Sequence, residues 1–450
     1  SKFGNFEIIL CFFSKLPTLE RTILVRYIDE KANNINLKQA TNFDEIVNNK
    51  ETKELIFERF KFNDPLYILF SSGTTGIPKC IVHGAGGTLI QHKKEHNLHC
   101  DIKEGERVFY FSTCGWMMWN WLISGLASGA TLMLYDGSPV LKNNESILFD
   151  YAEQEKFNVM GISAKFIDAC RKLNLNPMNS HNLSSMRMML STGSVLSSDC
   201  FDYVYEKIKN SVCLSSISGG TDIVSCFVLG SNILPVYRGE LQTRGLGMSV
   251  EVWDESESPV KGRKGELVCT KTFPSKPVMF WDDKGMKKYS NSYFGRYPNV
   301  WCHGDYVKLV DNDGMIFYGR SDTTLNRGGI RIGTAEIYRQ VELLNEVLES
   351  IVVEQNLEDD SRIILFVKLE KEKQLSSTLK EKIVNQIRIN TTPRHVPDLI
   401  LQVSDIPRTK SGKIVELAVQ KAINNEPIDN KTALENPEVL GEYSNHKELQ

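Results

Sequence analysis

The stretch LYILFSSGTTGIPKCIVHGAGG, residues 66–87, sets an apolar, β-prone run directly before a turn made almost wholly of hydroxyls and glycines, with one lysine at its end. Few folds place such a loop straight after a buried strand, because its backbone amides must find partners that its own side chains do not supply. The run LYILF reads as a strand ending at Phe70. Ser71, Ser72, Gly73, Thr74, Thr75 and Gly76 form the turn, and Pro78 and Lys79 close it. Glycines let N–H groups converge, hydroxyls add neutral donors and Lys79 adds a point charge, together a cradle for phosphate oxygens. The natural guest is a polyphosphate. The spacing is not the G-x-x-x-x-G-K-[ST] of P-loop enzymes, since Cys80 follows the lysine and no helix is signalled there. A mobile Ser/Gly linker is the alternative, opposed by the apolar strand before the loop and the rigid Ile-Pro-Lys end after it.

Up to about residue 320, short β-branched or aromatic runs alternate with longer mixed stretches: TILVRYI from Thr22, LYILF from Leu66, RVFYFST from Arg107 and ATLMLYD from Ala130. That rhythm predicts a sheet with crossover helices. Near Val250 it changes to strands punctuated by Gly and Pro, with Asp313-Gly314 as a tight hairpin turn, which predicts an antiparallel subdomain. After Arg320 come a helix in AEIYRQVELLNEV, a strand RIILFVKLE, a second helix, a strand DLILQVS and a last helix from about Ile414, a small α+β domain. In the second helix Thr378 and Glu381 have capping-box spacing, and Leu379, Ile383 and Ile387 line one face. The polar residues from Lys431 onward read as a loosely held tail.

With 450 residues, 41% of them hydrophobic, the chain can bury a large core, and its length suggests two or more domains. A net charge of -3 gives no global field for nucleic acid or an anionic membrane, so an anionic ligand must meet a locally positive site. Ten cysteines without a C-x-x-C pair argue against a zinc ribbon or a secreted disulfide framework and fit a reducing cytosol. The apolar runs, such as IILCFF, are too short to span a bilayer. The chain starts at Ser1 and enters mid-pattern, which suggests a missing N-terminal portion.

The glycine loop resembles the signature of the adenylate-forming superfamily, which includes acyl-CoA synthetases, luciferases and adenylation modules of peptide synthetases. Further matches follow in that family's order, from about Thr18 to the C-terminus. SGGTD looks like the motif whose threonine, Thr221, contacts the α-phosphate and whose acidic residue, Asp222, holds magnesium. WCHGDY puts Asp305 where the family's aspartate binds both ribose hydroxyls. GRSDTTLNRGGIRIGTAEIY resembles the hinge motif, with Arg320 for the ribose, Asp322 as the pivot and Arg331 near the phosphate. PRTKSGK ends in Lys413, matching the adenylation lysine. The resemblance further implies nucleotide contacts at Gly193 and Ser218, Gly328 and Gly329 along a pantetheine tunnel, and Arg388 near the CoA 3'-phosphate. Within the superfamily, SGGTDIVSCF, GGIRIGTAEIYRQVE and SGKIVELAVQKAINNEP look most like its acetoacetate-activating CoA ligases.

The implied fold is α/β: a large AMP-binding domain over residues 1–321, N-terminally incomplete, with mixed sheets and crossover helices, and a small mobile α+β domain over 322–450. The implied reaction joins a short acid to AMP, releases pyrophosphate and then passes the acyl group to CoA, using ATP, Mg2+ and CoA. It would belong to the lipid and ketone-body metabolism of the cytoplasm, with small-molecule partners and neither nucleic acid nor membrane insertion. A carboxylate resists thiol attack because its leaving group would be oxide, so it must first become an anhydride. The attack on an α-phosphate needs cations and donors fixed in a water-poor cleft. Lys413 would bridge the acyl carboxylate and α-phosphate, and Asp222 with magnesium and the loop around Lys79 would hold the leaving pyrophosphate.

Three departures carry information. Ser218 replaces the aromatic that commonly stacks on adenine, and Asp222 is one methylene shorter than the usual glutamate. Gly219 stands where acetate-specific relatives place a tryptophan, which leaves that space open for a four-carbon β-keto acid, with Trp116, Met117 and Met118 of CGWMMWNW as the opposite wall. Acetate or propionate activation, and an acyl-nucleotide binding protein without catalysis, are the rival readings. QHKKEHNLHC offers His92, His96 and His99 as a metal face, which the lack of an H-E-x-x-H glutamate opposes; Lys93, Lys94 and Glu95 instead mark a solvated helix surface.

Overall fold

The apolar run around Val108 becomes an inner strand of a five-stranded parallel sheet. In the computed structural model, which describes residues 15–25, 40–48, 54, 56–71, 79–327, 330–357, 361–409, 412–428 and 431–449, Arg107–Tyr110 pairs with Thr131–Met133 on one side and Val159–Ser163 on the other. Met188–Thr192 and Cys213–Ser216 complete the sheet. Both faces are covered, which is why these strands read as nearly unbroken apolar runs. Phe109, Met160 and Met189 face a cluster made with Leu148 and Phe149 of the helix Ile147–Gln154 and Ile167 of Ala164–Lys172. Their neighbours Val108, Tyr110, Met188 and Leu190 face the opposite way, onto Met118, Trp121 and Leu122 of the helix Met117–Ser124. The period of two along each strand thus divides the core into two layers.

The strands that flank the glycine-rich stretch pair with each other. Pro65–Phe70 pairs antiparallel with Cys80–Gly84, and the Ser71 amide donates to the Lys79 carbonyl at 3.1 Å while the Lys79 amide donates to Ser71 Oγ at 3.1 Å. The antiparallel sheet expected near Val250 is present, in the order Val250–Trp253, Lys264–Cys269, Trp301–Leu309 and Met315–Arg320. Its last turn is longer than the expected tight hairpin: the Val310 amide donates to the Gly314 carbonyl, and Asp313 takes a φ of 65° inside the three residues they enclose.

From Leu325 the chain builds a short hairpin, Leu325–Arg327 with Ile330–Ile332, and then a sheet in the order Val347–Asn356, Ser361–Leu369, Leu399–Gln402. The expected helix through AEIYRQVELLNEV stops at Val341, and the strand Val347–Asn356 was not legible in the sequence. The helix Ser377–Asn390 buries Leu379, Ile383 and Ile387 as the spacing predicts. Its cap is Ser376, whose Oγ accepts the Leu379 amide at 3.2 Å, so Thr378 lies inside the helix and the expected capping box does not form. The expected loose tail is instead folded: Leu434, Leu440 and Tyr443 enter the core around Phe366 and Val419. The first residues form a separate unit, Ser1–Arg59, in which Thr22–Leu24 runs parallel to Ala40–Asn42 ahead of the helix Phe43–Val47. Among the described residues no helix is long and apolar enough to cross a membrane.

Tyr443 is fully buried, packs edge-on against Phe366 at 4.7 Å between ring centroids, and donates its hydroxyl to the Asp405 carbonyl at 2.8 Å. Tyr443→Ala leaves a cavity and an unpaired carbonyl, an expected loss of about 3–5 kcal/mol. Urea unfolding followed by tryptophan fluorescence checks it; a midpoint unchanged from the parent chain contradicts the folded tail.

Candidate active site

The loop hairpin and the SGGTD segment meet through one ion pair. Lys79 Nζ lies 3.0 Å from Asp222 Oδ1, although 143 residues separate them in sequence. Tyr293 donates its hydroxyl to the same oxygen at 2.6 Å, and its ring stacks on Trp301 at 3.8 Å between centroids. Lys79 also sits 4.9 Å above the Tyr293 ring. Desolvation would raise the Asp222 pKa, but the charge of Lys79, the neighbouring His303 and the Tyr293 hydrogen bond outweigh it and hold the carboxyl well below its usual range. The hydroxyl and the ammonium both use Oδ1, so Oδ2 is the oxygen left to a ligand. Among the described residues no group of three potential ligands gathers around a metal position. A single carboxylate nevertheless fits Mg2+, which binds through one or two carboxylates, water and substrate phosphates. Tyr293 was missed by sequence reasoning; only its place eight residues before Trp301 hinted at it.

The second part of the site lies on the antiparallel sheet. Asp305 and Arg320 face each other across paired strands, with Arg320 Nη1 at 3.3 Å from Asp305 Oδ1 and donating to the His303 carbonyl at 2.9 Å. Gly304 makes this possible: at φ 82° it carries no Cβ, which would lie 2.5 Å from the guanidinium. Burial pulls the Arg320 pKa down, but Asp305 and Asp322 together raise it well above the ordinary value. Asp322 stands 3.5 Å from Arg320 Nε in the single turn Ser321–Thr323, between the last strand of this sheet and the Leu325 hairpin. Arg331, on that hairpin, holds its guanidinium 5.9 Å from the Tyr306 ring centroid. His303 is buried, desolvation lowers its pKa below the usual value, and its ring is edge-on to Phe227.

Lys413 joins this group from the far end of the chain. Its loop is closed by the bridge Arg408 to Ile414 and by the Thr409 amide donating to the Lys413 carbonyl at 2.8 Å. The side chain is exposed, and Asp222, Asp305 and Arg320 are the charged groups whose fields reach it. Desolvation and Arg320 lower its pKa, and the two aspartates act against them. Glu416, three residues on, accepts hydrogen bonds from Thr334 and Tyr338 at 3.0 Å each, which fixes the loop to the helix Thr334–Val341. Lys165 and Glu349, 2.8 Å apart, and Lys172 donating to the Leu348 carbonyl at 3.2 Å brace the same region against the helix Ala164–Lys172.

Thr221 and Asp222 sit in a tight turn between the strands Ser218–Gly220 and Ser225–Leu229. Val224 there has a φ of 48°, a strained position for a β-branched residue. Three imidazoles brace the hairpin by donating to its carbonyls: His83 to Thr221 at 3.0 Å, His92 to Val224 at 2.6 Å and His99 to Gly230 at 2.8 Å. Of the solvated surface expected at Lys93, Lys94 and Glu95, Lys93 is exposed and Lys94 half-buried, but Glu95 is buried, as are these histidines, and it faces the hairpin instead. The open space expected beside Gly219 is also absent. A Cβ on Gly219 would lie 1.9 Å from the Ser225 carbonyl oxygen, so the glycine answers to the close approach of the two strands. Trp116 caps the helix Met117–Ser124 and lies beside Gly193, which has a φ of 92°, while Met117 and Met118 pack into the core with Tyr110 and Ile217. Ser218 is half-buried on its strand. Arg388 is exposed in the last turn of Ser377–Asn390, apart from the groups around Asp222. Ser72, Gly73, Thr74, Thr75, Gly76, Gly328 and Gly329 lie outside the described residues.

The sheets, the hairpin loop and the converging charges define a nucleotide-handling class, and comparison with known proteins agrees. Residues 14–275 match the family model of the AMP-binding enzymes. The chain is 59% identical over 395 residues to the acetoacetyl-coenzyme A synthetase of Rhizobium meliloti (strain 1021), covering 88% of this chain and 61% of that protein. It is 44% identical to the acetoacetyl-CoA synthetase of Gallus gallus, over 99% of this chain and 68% of that one. The solved acetoacetyl-CoA synthetase from Streptomyces lividans superposes with a TM-score of 0.90 at 37% identity, over 98% of this chain and 67% of that chain. The chain therefore belongs to the AMP-binding enzymes and, within them, to the acetoacetyl-CoA synthetase family. It spans roughly two thirds of its relatives' length, 61% and 68% in the two quoted.

The buried histidines make stability depend on acid. Desolvation lowers the His83 pKa to about 4 and that of His96 to about 3, against 6.5 when unfolded. Between pH 6.5 and 4 the unfolded chain therefore binds protons that the folded chain refuses. Stability is full above pH 6.5 and falls as the pH drops towards 4, by on the order of 3 kcal/mol for His83 alone. His83→Gln keeps a donor for the Thr221 carbonyl and is expected to flatten that slope in urea titrations across the window. Parallel pH profiles for the two proteins would remove His83 from this account.

Proposed function

We propose that the chain carries the catalytic machinery of an ATP-dependent ligase that converts acetoacetate to acetoacetyl-AMP and then transfers the acyl group to coenzyme A. What supports this reading is the Lys79–Asp222 ion pair, the Asp305–Arg320 pair, and the reach of the charges of Asp222, Asp305 and Arg320 to Lys413. Lys79 and Lys413 supply the cationic charge that an attack of one anion on another requires. Asp305 and Arg320 offer acceptor and donor side by side for ribose hydroxyls, and Thr221 supplies a hydroxyl to the α-phosphate. Asp222 Oδ2 would hold Mg2+, which when bound neutralises charge on the departing pyrophosphate.

In the first half-reaction the acid carboxylate attacks the α-phosphorus of ATP. The bond to the β-phosphate oxygen breaks, and pyrophosphate leaves with that electron pair. Lys413 aligns the two anions, while Arg331, on the hairpin after Asp322, comes within reach of the phosphate once the nucleotide is in place. In the second, the CoA thiolate attacks the carbonyl carbon and AMP leaves with its phosphate oxygen. Lys413 obstructs that approach, so we assign residues 1–321 to the nucleotide-binding domain and residues 322–450 to a domain that turns about Asp322 between the steps. Gly328 and Gly329 then admit the pantetheine arm, and Arg388 meets the CoA phosphate. Trp116, Met117 and Met118 bound the acid. The identities of 59% and 44% to acetoacetyl-CoA synthetases support acetoacetate over acetate or propionate.

Lys413→Ala is expected to lose acid-dependent pyrophosphate exchange by about 10²- to 10³-fold while still passing preformed acetoacetyl-AMP to CoA. Exchange at the parent rate contradicts the assignment. A panel of acetoacetate, acetate and propionate, read by AMP, pyrophosphate and thioester together, identifies the acid and separates a full ligase from an acyl-nucleotide binder.

A further inference from the structure

The buried row of polar residues on the helix Ala85–Lys94 and its π-helical continuation Glu95–His99 is not used by the reaction above, yet it faces the reacting residues. Glu95 is its centre, 1% exposed. Its Oε2 accepts the Trp121 indole N–H at 2.9 Å; its Oε1 accepts the Ser225 hydroxyl and the Cys226 amide, the latter at 3.3 Å, and Gln91 at 3.4 Å. Ser225 in turn accepts from Gln91 at 2.8 Å. Every partner is a donor, so the site demands a group that only accepts, and an ionised carboxylate is the side chain that meets this. A glutamine there would aim its amide N–H at one of those donors. The two far partners lie on different elements: Trp121 on the helix Met117–Ser124, and Ser225 with Cys226 on the hairpin strand three and four residues after Asp222. The π-helical turn lets Glu95 face the hairpin together with His92, while His96 packs edge-on against Trp121.

We propose that Glu95 is a positioning residue, its carboxylate tying the acid-facing helix to the hairpin that carries Thr221 and Asp222 so that acyl wall and phosphate contacts keep one fixed relation. This rests on the adenylation reading for its consequence but not for its geometry, and the experiment separates the two. In the full chain, Glu95→Gln is expected to speed hydrogen exchange by about tenfold or more in both joined segments, residues 116–124 and 218–229, with Val347–Asn356 unchanged. Faster exchange confined to residues 85–99, or spread evenly over the chain, overturns the proposal. In turnover, the ratio of kcat/KM for acetoacetate to that for acetate, normalised to the acyl-AMP burst, is expected to fall by about threefold or more. An unchanged ratio with a smaller burst is what a purely structural role gives, and it overturns the proposal too. If Glu95→Gln does not fold, Trp121→Phe cuts the helix arm alone. It should loosen residues 116–124 and lower the acid ratio, and no change in either is a refutation. If the parent chain forms acyl-AMP with no acid, the adenylation reading fails and the exchange pattern alone decides the role of Glu95.

Discussion

The ion pair between Lys79 and Asp222 is the contact on which the rest of the arrangement turns. It fastens the tip of the Pro65–Phe70 hairpin to the Thr221 turn, and Tyr293, stacked on Trp301, carries the antiparallel sheet to the same oxygen. Three structural regions thus share one carboxylate. Removing either charge would leave the other partly buried without its partner, a far larger cost than the modest net gain of forming the pair. The pair therefore leaves this junction close to neutral.

Most of the architecture was legible because its cause is local. Val108, Phe109 and Tyr110 are buried whichever way they face, so the strand in RVFYFST announces itself as an apolar run. The hairpin around the glycine loop is equally plain, since Ser71 and Lys79 close a backbone pair that an apolar strand must end in. What escaped was structure whose cause is distant. Val347–Asn356 carries Glu349 and Glu354 among its valines and follows a helix with neither glycine nor proline between them. Glu349 is there because Lys165 and Arg408 reach it from elsewhere. The tail after Lys431 is polar on average, and only Leu434, Leu440 and Tyr443 enter the core, at spacings too irregular to signal a helix.

The site residues divide in the same way. Asp222, Asp305, Arg320 and Lys413 were named from motifs, and the fold brings their charges together. Tyr293 belongs to no motif, because its role depends on stacking against Trp301 and reaching Asp222 across 71 residues. Gly219 was read for its missing side chain as an opening, whereas the strand opposite already fills that space. A glycine by itself does not distinguish room for a ligand from room for backbone; only the neighbour's position does.

The histidine helix makes the limit sharpest, because its amphipathicity is inverted. Leu89 and Leu98 stand 45% and 61% exposed, while Gln91, His92, Glu95 and His96 are buried. Periodicity assigns the apolar stripe to the core, and that rule assumes an apolar partner. Here the partner is a strained hairpin whose Thr221, Val224 and Gly230 carbonyls need donors and whose Ser225 and Cys226 need an acceptor. Neutral imidazoles satisfy the first and one carboxylate the second, so hydrogen bonding to the turn outweighs the transfer free energy of two leucines. The same demand explains why, in a row that looks like a metal face, His92 and His99 are spent on backbone carbonyls, while His96 packs edge-on against Trp121. The turn that presents Thr221 and Asp222 keeps its unusual shape because a polar helix is built to meet it.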